Sequence, residues 1–157
     1  MRLDVTELYR KHGGLVFRRA RAVLGDDELA RDVVQEVFLS LHQRQGALHE
    51  GGLVSWLYTV TTNRSLKLMR NHATRARLTD AHAEQLAPRE ASAPDITARL
   101  RGVLPQLDEA LAQVAVYRHV DEMTHAEIAE VLGCSRRHVG NLVERLEAQL
   151  VTLREAV

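Results

Sequence analysis

The sequence predicts an all-α protein: two small helical domains joined by a flexible linker, the second built around a helix-turn-helix. Three observations carry that prediction. The chain of 157 residues is dominated by Ala, Leu, Arg and Glu, with only 4% aromatic residues, three prolines and nine glycines, a composition that favours helices. Apolar residues recur at three- and four-residue spacing through most of the chain. Residues 80–95 break that pattern with Pro88 and Pro94 and a single large aliphatic, Leu86, which marks an extended linker.

The domains are therefore expected at 1–79 and 96–157. A first helix covers about residues 3–23, with Leu8, Val16, Ala20, Val23 and Leu24 inward and Gly13-Gly14 as a point of kink or break. Gly25-Asp26-Asp27 is a turn, with an Asp capping the next helix. Leu29, Val33, Val34, Val37, Phe38 and Leu41 give a clean apolar stripe for a helix over 27–44. A glycine-bearing loop follows at 45–52, then a long helix over about 53–78 with Leu53, Trp56, Leu57, Val60 and Leu68 inward. Beyond the linker, a helix near 96–104 ends at Pro105. Another spans about 107–119 on a core face of Leu107, Leu111, Val114 and Ala115.

The most informative stretch is residues 123–139. Thr124 and Glu127 form a T-x-x-E capping box. Ile128, Ala129 and Leu132 make an apolar face, and Gly133 sits where a helix ends with positive φ. Ser135 is a good N-cap for a second helix, down which Val139, Leu142, Leu146, Leu150 and Leu153 run on one side. This is the outline of a helix-turn-helix, whose second helix enters the DNA major groove. That helix opens with Arg136, Arg137 and His138. Cations at the positive end of a helix dipole cost ~0.3–1 kcal/mol each, a penalty that an anionic partner removes.

The formal net charge is zero, which argues against strong independent DNA binding. Its distribution is uneven. Residues 26–36 carry Asp26, Asp27, Glu28, Asp32 and Glu36 against Arg31 alone. Residues 53–79 carry Arg64, Lys67, Arg70, Arg75 and Arg77 with no acid. The acidic helix suits a protein partner and the basic one suits nucleic acid. Asn63, Arg64, Lys67 and Arg70 recur at three- and four-residue spacing and share a face, and like charges on one face call for a counter-charge such as a nucleic-acid backbone. From periodicity alone, Asp32, Gln35 and Glu36 are a solvated polar face, and Trp56 is a core residue.

Other chemistry finds no support. Cys134 stands alone, so it forms no internal disulfide, and its place in the glycine turn predicts a small buried packing residue. No histidine pair has i, i+4 ligand spacing, so neither a metal nor a cofactor is expected. No phosphate loop, nucleophile elbow or hydrolase motif is present, so no catalytic residue is expected. No apolar run reaches the ~18 residues of a membrane span, and the N-terminus has acids where a signal peptide needs an apolar stretch. A cytoplasmic protein without membrane insertion follows.

Four segments together resemble the extracytoplasmic-function sigma factors, the two-domain group of the sigma-70 family. Leu8-Tyr9-Arg10-Lys11-His12 is similar to that group's opening helix, and Ala30-Arg31-Asp32-Val33-Val34-Gln35-Glu36-Val37-Phe38-Leu39 to its most recognisable motif. Trp56-Leu57-Tyr58 through Asn63 and Arg70 resembles its promoter-melting helix, and Leu104-Pro105 with the helix-turn-helix resembles its second domain. The resemblance implies an RNA polymerase sigma factor. Asp32, Gln35 and Glu36 would dock on the β′ clamp helices of core polymerase, with the β flap as a second contact. The loop at 45–52 and the start of the next helix would capture and melt the minus-ten element of promoter DNA, and Asn63, Arg64, Lys67 and Arg70 would follow the DNA. Ser135, Arg136, Arg137, His138 and Asn141 would meet the minus-thirty-five element, where Arg suits guanine and Asn suits adenine. Such factors are often held by an anti-sigma partner.

The chain departs from the group's pattern. Where the recognition helix usually runs Gly-Thr-Val-Lys-Ser-Arg, this chain has Arg137-His138-Val139-Gly140-Asn141-Leu142, which replaces a Lys by Gly140 and an Arg by Leu142. Lys67 stands where the melting helix usually has an acid, and 48–52 lacks the common Phe-Arg-Gly-Glu. Two other readings remain. A helix-turn-helix repressor would dimerise on palindromic half-sites, whereas a sigma factor is expected to be a monomer. A sigma-like regulatory protein would bind polymerase or a partner without initiating.

Overall fold

The computed structural model describes residues 3–44, 50–78 and 96–155, and among them every regular element is helical. The expected linker at 80–95 and residues 45–49 of the expected loop lie outside the described residues. By their contacts the residues divide into two compact units, Met1–Ser65 and Leu66–Val157.

The first unit is built on α1 (Val5–Leu24), α2 (Asp27–Gln43) and the start of α3 (Leu53–Leu78), which follows a 3-10 turn at Glu50–Gly52. Asp4 caps α1 by accepting from the Thr6 and Glu7 amides at 3.1 and 3.3 Å. The helix ends at Gly25, whose φ of 70° lets its amide close back on Arg21 O at 2.7 Å. Asp26 then caps α2 through the Leu29 amide at 3.0 Å. So short a turn folds α2 back against α1. Gly13-Gly14 does not break α1, which is one continuous helix. Packing against α2 sustains it, including an edge-on contact of the Tyr9 and Phe38 rings at 5.2 Å.

The core of this unit is aliphatic on α2 and partly polar on α3. Ala30, Val33, Val34, Val37, Phe38 and Leu41 are buried as a stripe. On α3, Leu53 and Leu57 are buried as expected, but Trp56, Val60 and Leu68 are only half-buried. Thr61, Thr62 and Ser65 take the inward places instead. The reason lies on α1, where Arg19 is buried and its Nη2 donates to Thr62 Oγ1 at 2.7 Å. A buried guanidinium needs acceptors, and Thr62 supplies one.

The second unit contains the rest of α3, with Leu66 and Met69 buried, then α4 (Ile96–Val103), a 3-10 turn at Leu104–Gln106 that carries Pro105, α5 (Glu109–Ala115), α6 (His125–Leu132) and α7 (Arg136–Glu155). Asp108 caps α5 by accepting from the Leu111 amide at 2.9 Å. The helix expected over 107–119 is α-helical only to Ala115 and continues as a π turn over Val116–Val120. Leu107, Leu111, Val114, Ala115 and Tyr117 are buried along it, as are Ile128 on α6 and Val139, Leu142 and Leu146 on α7, and α7 packs against both α5 and α6.

Candidate protein and nucleic-acid interfaces

On α2, Asp32, Gln35 and Glu36 are all exposed, opposite the buried aliphatic stripe. Leu39 lies one turn further on the same side and is 58% exposed. Sequence reading missed it, although its i+3 and i+4 spacing from Glu36 and Gln35 places it there. Leu39 adds one exposed apolar position to the polar face of Asp32, Gln35 and Glu36. Beside it, α1 and α2 enclose an open groove of about 880 Å³ whose walls include Tyr9, Gly13, Gly14 and Phe17 from α1 and Asp32 and Gln35 from α2.

Glu36 is not a lone acid. Arg64 on α3 donates through Nη1 to Glu36 Oε2 at 3.1 Å and through Nη2 to Ser40 Oγ at 2.6 Å. The side chain read as part of a DNA-facing row is thus turned onto α2. Arg70 is also engaged, donating to Leu107 O at 3.2 Å within the second unit. Lys67 is exposed and Asn63 half-buried. The repulsion that like charges on this helix would suffer is therefore met in part inside the chain, by Glu36, Ser40 and Leu107 O.

The helix-turn-helix is assembled by its caps. Thr124 Oγ1 accepts from the Glu127 amide, and Glu127 Oε1 accepts from the Thr124 amide, both at 3.2 Å. Gly133 at φ 70° ends α6, and the Cys134 amide closes on Ala129 O at 3.0 Å. Ser135 Oγ accepts from the His138 amide at 3.1 Å and starts α7. With α7 seated by Val139, Leu142, Val143 and Leu146, the side chains of Ser135, Arg136, Arg137, His138 and Asn141 are all exposed. Three cationic or ionisable side chains and one amide thus project from the first two turns.

One detail bears out the sequence reading and one corrects it. Leu142 is 4% exposed, buried with the apolar side of α7 as its spacing predicts. Cys134 is half-buried rather than buried, because Gly133 and Ser135 beside it are both exposed in a tight turn. Gly140 is helical, and a Cβ placed there would meet nothing within 4 Å. Ahead of α6, Arg118 Nη1 lies 3.2 Å from His125 Nε2. Neighbouring His119 has its pKa pushed below the usual 6.5, first by burial and then by the Arg118 charge, with Glu147 opposing. Among the described residues, no group of His, Cys, Asp and Glu is placed to hold a metal ion, and no helix is long and apolar enough to cross a membrane.

Comparison with known proteins gives these faces a family. Residues 8–75 match the model of sigma-70 region 2, and residues 97–150 match that of sigma-70 region 4. Among curated relatives, the ECF RNA polymerase sigma factor SigE of Mycolicibacterium smegmatis is 25% identical over 92% of this chain, which spans 59% of that protein's length. The ECF sigma factor SigM of Bacillus subtilis is 19% identical over 96% of this chain and 95% of its own. RNA polymerase sigma factor NccH of Alcaligenes xylosoxydans xylosoxydans is 27% identical over 94% of this chain and 84% of its own. Two solved structures share the fold. CnrH in complex with the cytosolic domain of CnrY has a TM-score of 0.62 at 24% identity, covering 97% of this chain and 88% of that one. The sigma factor RpoE in complex with the anti-sigma factor NepR, from Bartonella quintana, has a TM-score of 0.59 at 18% identity, covering 96% of each chain. With both regions matched in order and the α2 face and helix-turn-helix in place, the chain belongs to the extracytoplasmic-function group of the sigma-70 family of RNA polymerase sigma factors.

Proposed function

We propose that this chain joins core RNA polymerase through the α2 face, directs it to a two-part promoter, and helps open the duplex. The observation that carries this is one chain with two exposed faces of different chemistry. Asp32, Gln35, Glu36 and Leu39 suit a protein surface, and Arg136, Arg137, His138 and Asn141 suit DNA. The working parts are residues 1–79 for polymerase binding and melting and 96–157 for the upstream element, with 80–95 between them. Core polymerase is the partner through its β′ clamp helices and β flap, and promoter DNA is the target. An anti-sigma protein that covers either face would act as an inhibitor, as the family's complexes suggest. The protein works in the cytoplasm, where its polymerase is.

Each residue's role follows from its chemistry. Asp32 and Glu36 offer carboxylates to cations on the clamp, and Leu39 contributes apolar burial. Arg136 and Arg137 present planar donors to phosphate or to guanine, and Asn141 can pair with adenine, each bidentate pair being worth ~1–3 kcal/mol of discrimination. Asn63 and Lys67 on α3 follow the strand as it opens. Opening needs no covalent step, because capturing an unstacked base offsets the few kcal/mol of unstacking. The neutral net charge fits a factor that borrows affinity from polymerase, so free DNA binding is expected to be weak.

The test is run-off transcription with purified core polymerase, paired with a binding assay. The chain should confer start-site selectivity, and reversal of charge at Asp32 and Glu36 should abolish association with core. Normal association by the reversed variant would refute the assignment of α2. A chain that binds core yet gives no selective start would instead be a sigma-like regulator.

A further inference from the structure

We propose that Arg19 is a positioning residue for promoter opening, the pin that fixes where α3 sits on α1. This rests on the reading of α3 as the melting helix. Arg19 is 5% exposed. Its Nη2 donates to Thr62 Oγ1 at 2.7 Å, and its guanidinium lies over the Tyr58 ring, 4.1 Å from the centroid. One buried cation therefore holds α3 at two points a single turn apart.

The surroundings make those two contacts decisive. Tyr58, Thr61, Thr62 and Ser65 fall on one stripe of α3 at i, i+3, i+4 and i+7 spacing. Thr61, Thr62 and Ser65 are fully buried or nearly so. The Thr61 and Ser65 hydroxyls have no hydrogen-bond partner among the described residues. Helices usually seat on one another by interdigitating bulky aliphatic ridges, which fixes rotation and rise together. A stripe of short hydroxyl side chains supplies little of that. Leu53 and Leu57 pack another side of α3 and Arg64 ties it to α2, but along this stripe the directional contacts to Arg19 set where the helix sits on α1.

Stability alone does not explain the arrangement, because aliphatic residues of similar size in place of both partners commonly hold a buried site as well. Geometry does. Asn63 adjoins Thr62 in sequence and Lys67 follows one turn later, so any rotation of α3 is carried directly to the side chains that would track the opened strand. Arg19 touches no DNA in this scheme and acts through Tyr58 and Thr62.

The experiment uses the full chain with core polymerase and compares Arg19→Met, Arg19→Lys and Thr62→Val. Polymerase affinity, thermal stability, permanganate reactivity of unpaired thymines, and amide hydrogen exchange over residues 58–65 are read for each. Arg19→Met should bind polymerase like the parent and melt somewhat lower, because Thr62 Oγ1 loses its donor, yet open promoter DNA roughly tenfold more slowly, because small misplacements are costly to a positioned site. Its exchange over 58–65 should rise by about the same factor. Thr62→Val should slow opening about threefold. Arg19→Lys keeps a donor but loses the planar stack and should fall between Arg19→Met and the parent. Parental opening or parental exchange in Arg19→Met overturns the proposal. If Arg19→Met does not fold, parental opening and exchange in Thr62→Val overturn it. If the parent itself opens no promoter, the reading of α3 as the melting helix falls, and the exchange measurement still decides whether Arg19 pins the helix.

Discussion

Arg64 and Glu36 hold each other across α2 and α3, with Nη1 and Oε2 3.1 Å apart. The pair joins a residue proposed to bind polymerase to the helix proposed to follow DNA. Both side chains are partly exposed, so the bond adds only ~0.2–1 kcal/mol to stability. Its importance is competition, because a polymerase cation approaching Glu36 must displace or share Arg64.

Replacing Arg64 by Ala should therefore raise affinity for core polymerase slightly, by up to about threefold, with little change in melting temperature. Exchanging the two residues, Glu36→Arg with Arg64→Glu, should keep the pair and the stability while losing polymerase affinity. Equilibrium binding to fluorescent core enzyme measures both. Weaker binding by Arg64→Ala would mean that Arg64 supports the face rather than competing for it.

Leu39 gives a sharper test of the same face. It is 58% exposed, so Leu39→Ala should leave the melting temperature unchanged. Burial against polymerase would make the same change cost roughly tenfold in affinity, from ~1–2 kcal/mol of lost apolar contact. An effect below about twofold would place Leu39 outside the interface.

Gly140 has room for a side chain, since a Cβ there meets nothing within 4 Å. Gly140→Ala should stabilise α7 by ~1 kcal/mol through helix propensity alone, visible as a rise in melting temperature. Gly140→Lys should tighten promoter binding by the polymerase complex and steepen its salt dependence by about one released counterion. An unchanged salt slope would show that this part of α7 does not face phosphate.

His119 makes the second unit sensitive to acid. Burial and Arg118 hold its pKa below 6.5 when folded, partly opposed by Glu147. The unfolded chain therefore takes up the proton first as pH falls. Stability is fully present above pH 6.5 and declines as pH drops through 6.5 toward the folded pKa. Melting temperatures from pH 7.5 to 5.5 should fall less in His119→Gln than in the parent, whose steeper decline is the signature of this residue.

How much could be read in advance depended on the kind of interaction. The caps of α2, α6 and α7 were legible because Asp26, Thr124 and Ser135 act on amides three residues away. The aliphatic stripes of α2 and α7 were legible because a helix repeats them. The polar stripe of α3 was not, since nothing local to Thr61, Thr62 and Ser65 marks them as buried, and the Arg19 that meets Thr62 lies more than forty positions earlier in sequence. The contacts of Arg64 were hidden for the same reason. Its charge suggested an anion, but only the packing of α2 on α3 shows that Glu36 and Ser40 come within reach. The π turn at Val116–Val120 has no local signature, because its apolar spacing fits an α-helix equally well.

If α7 reads the upstream element as proposed, burial of Leu142 gives it a narrow reading head. Past Asn141, Leu142 and Val143 turn into the core, Glu144 is an acid, and Arg145 leans toward Asp108 at 3.4 Å. Base choice would then rest with Arg136, Arg137, His138 and Asn141, spread over about 8 Å of helix. Retargeting the factor to a new upstream sequence becomes a search over a handful of side chains, and a library restricted to those positions would sample nearly all the specificity that this domain can express.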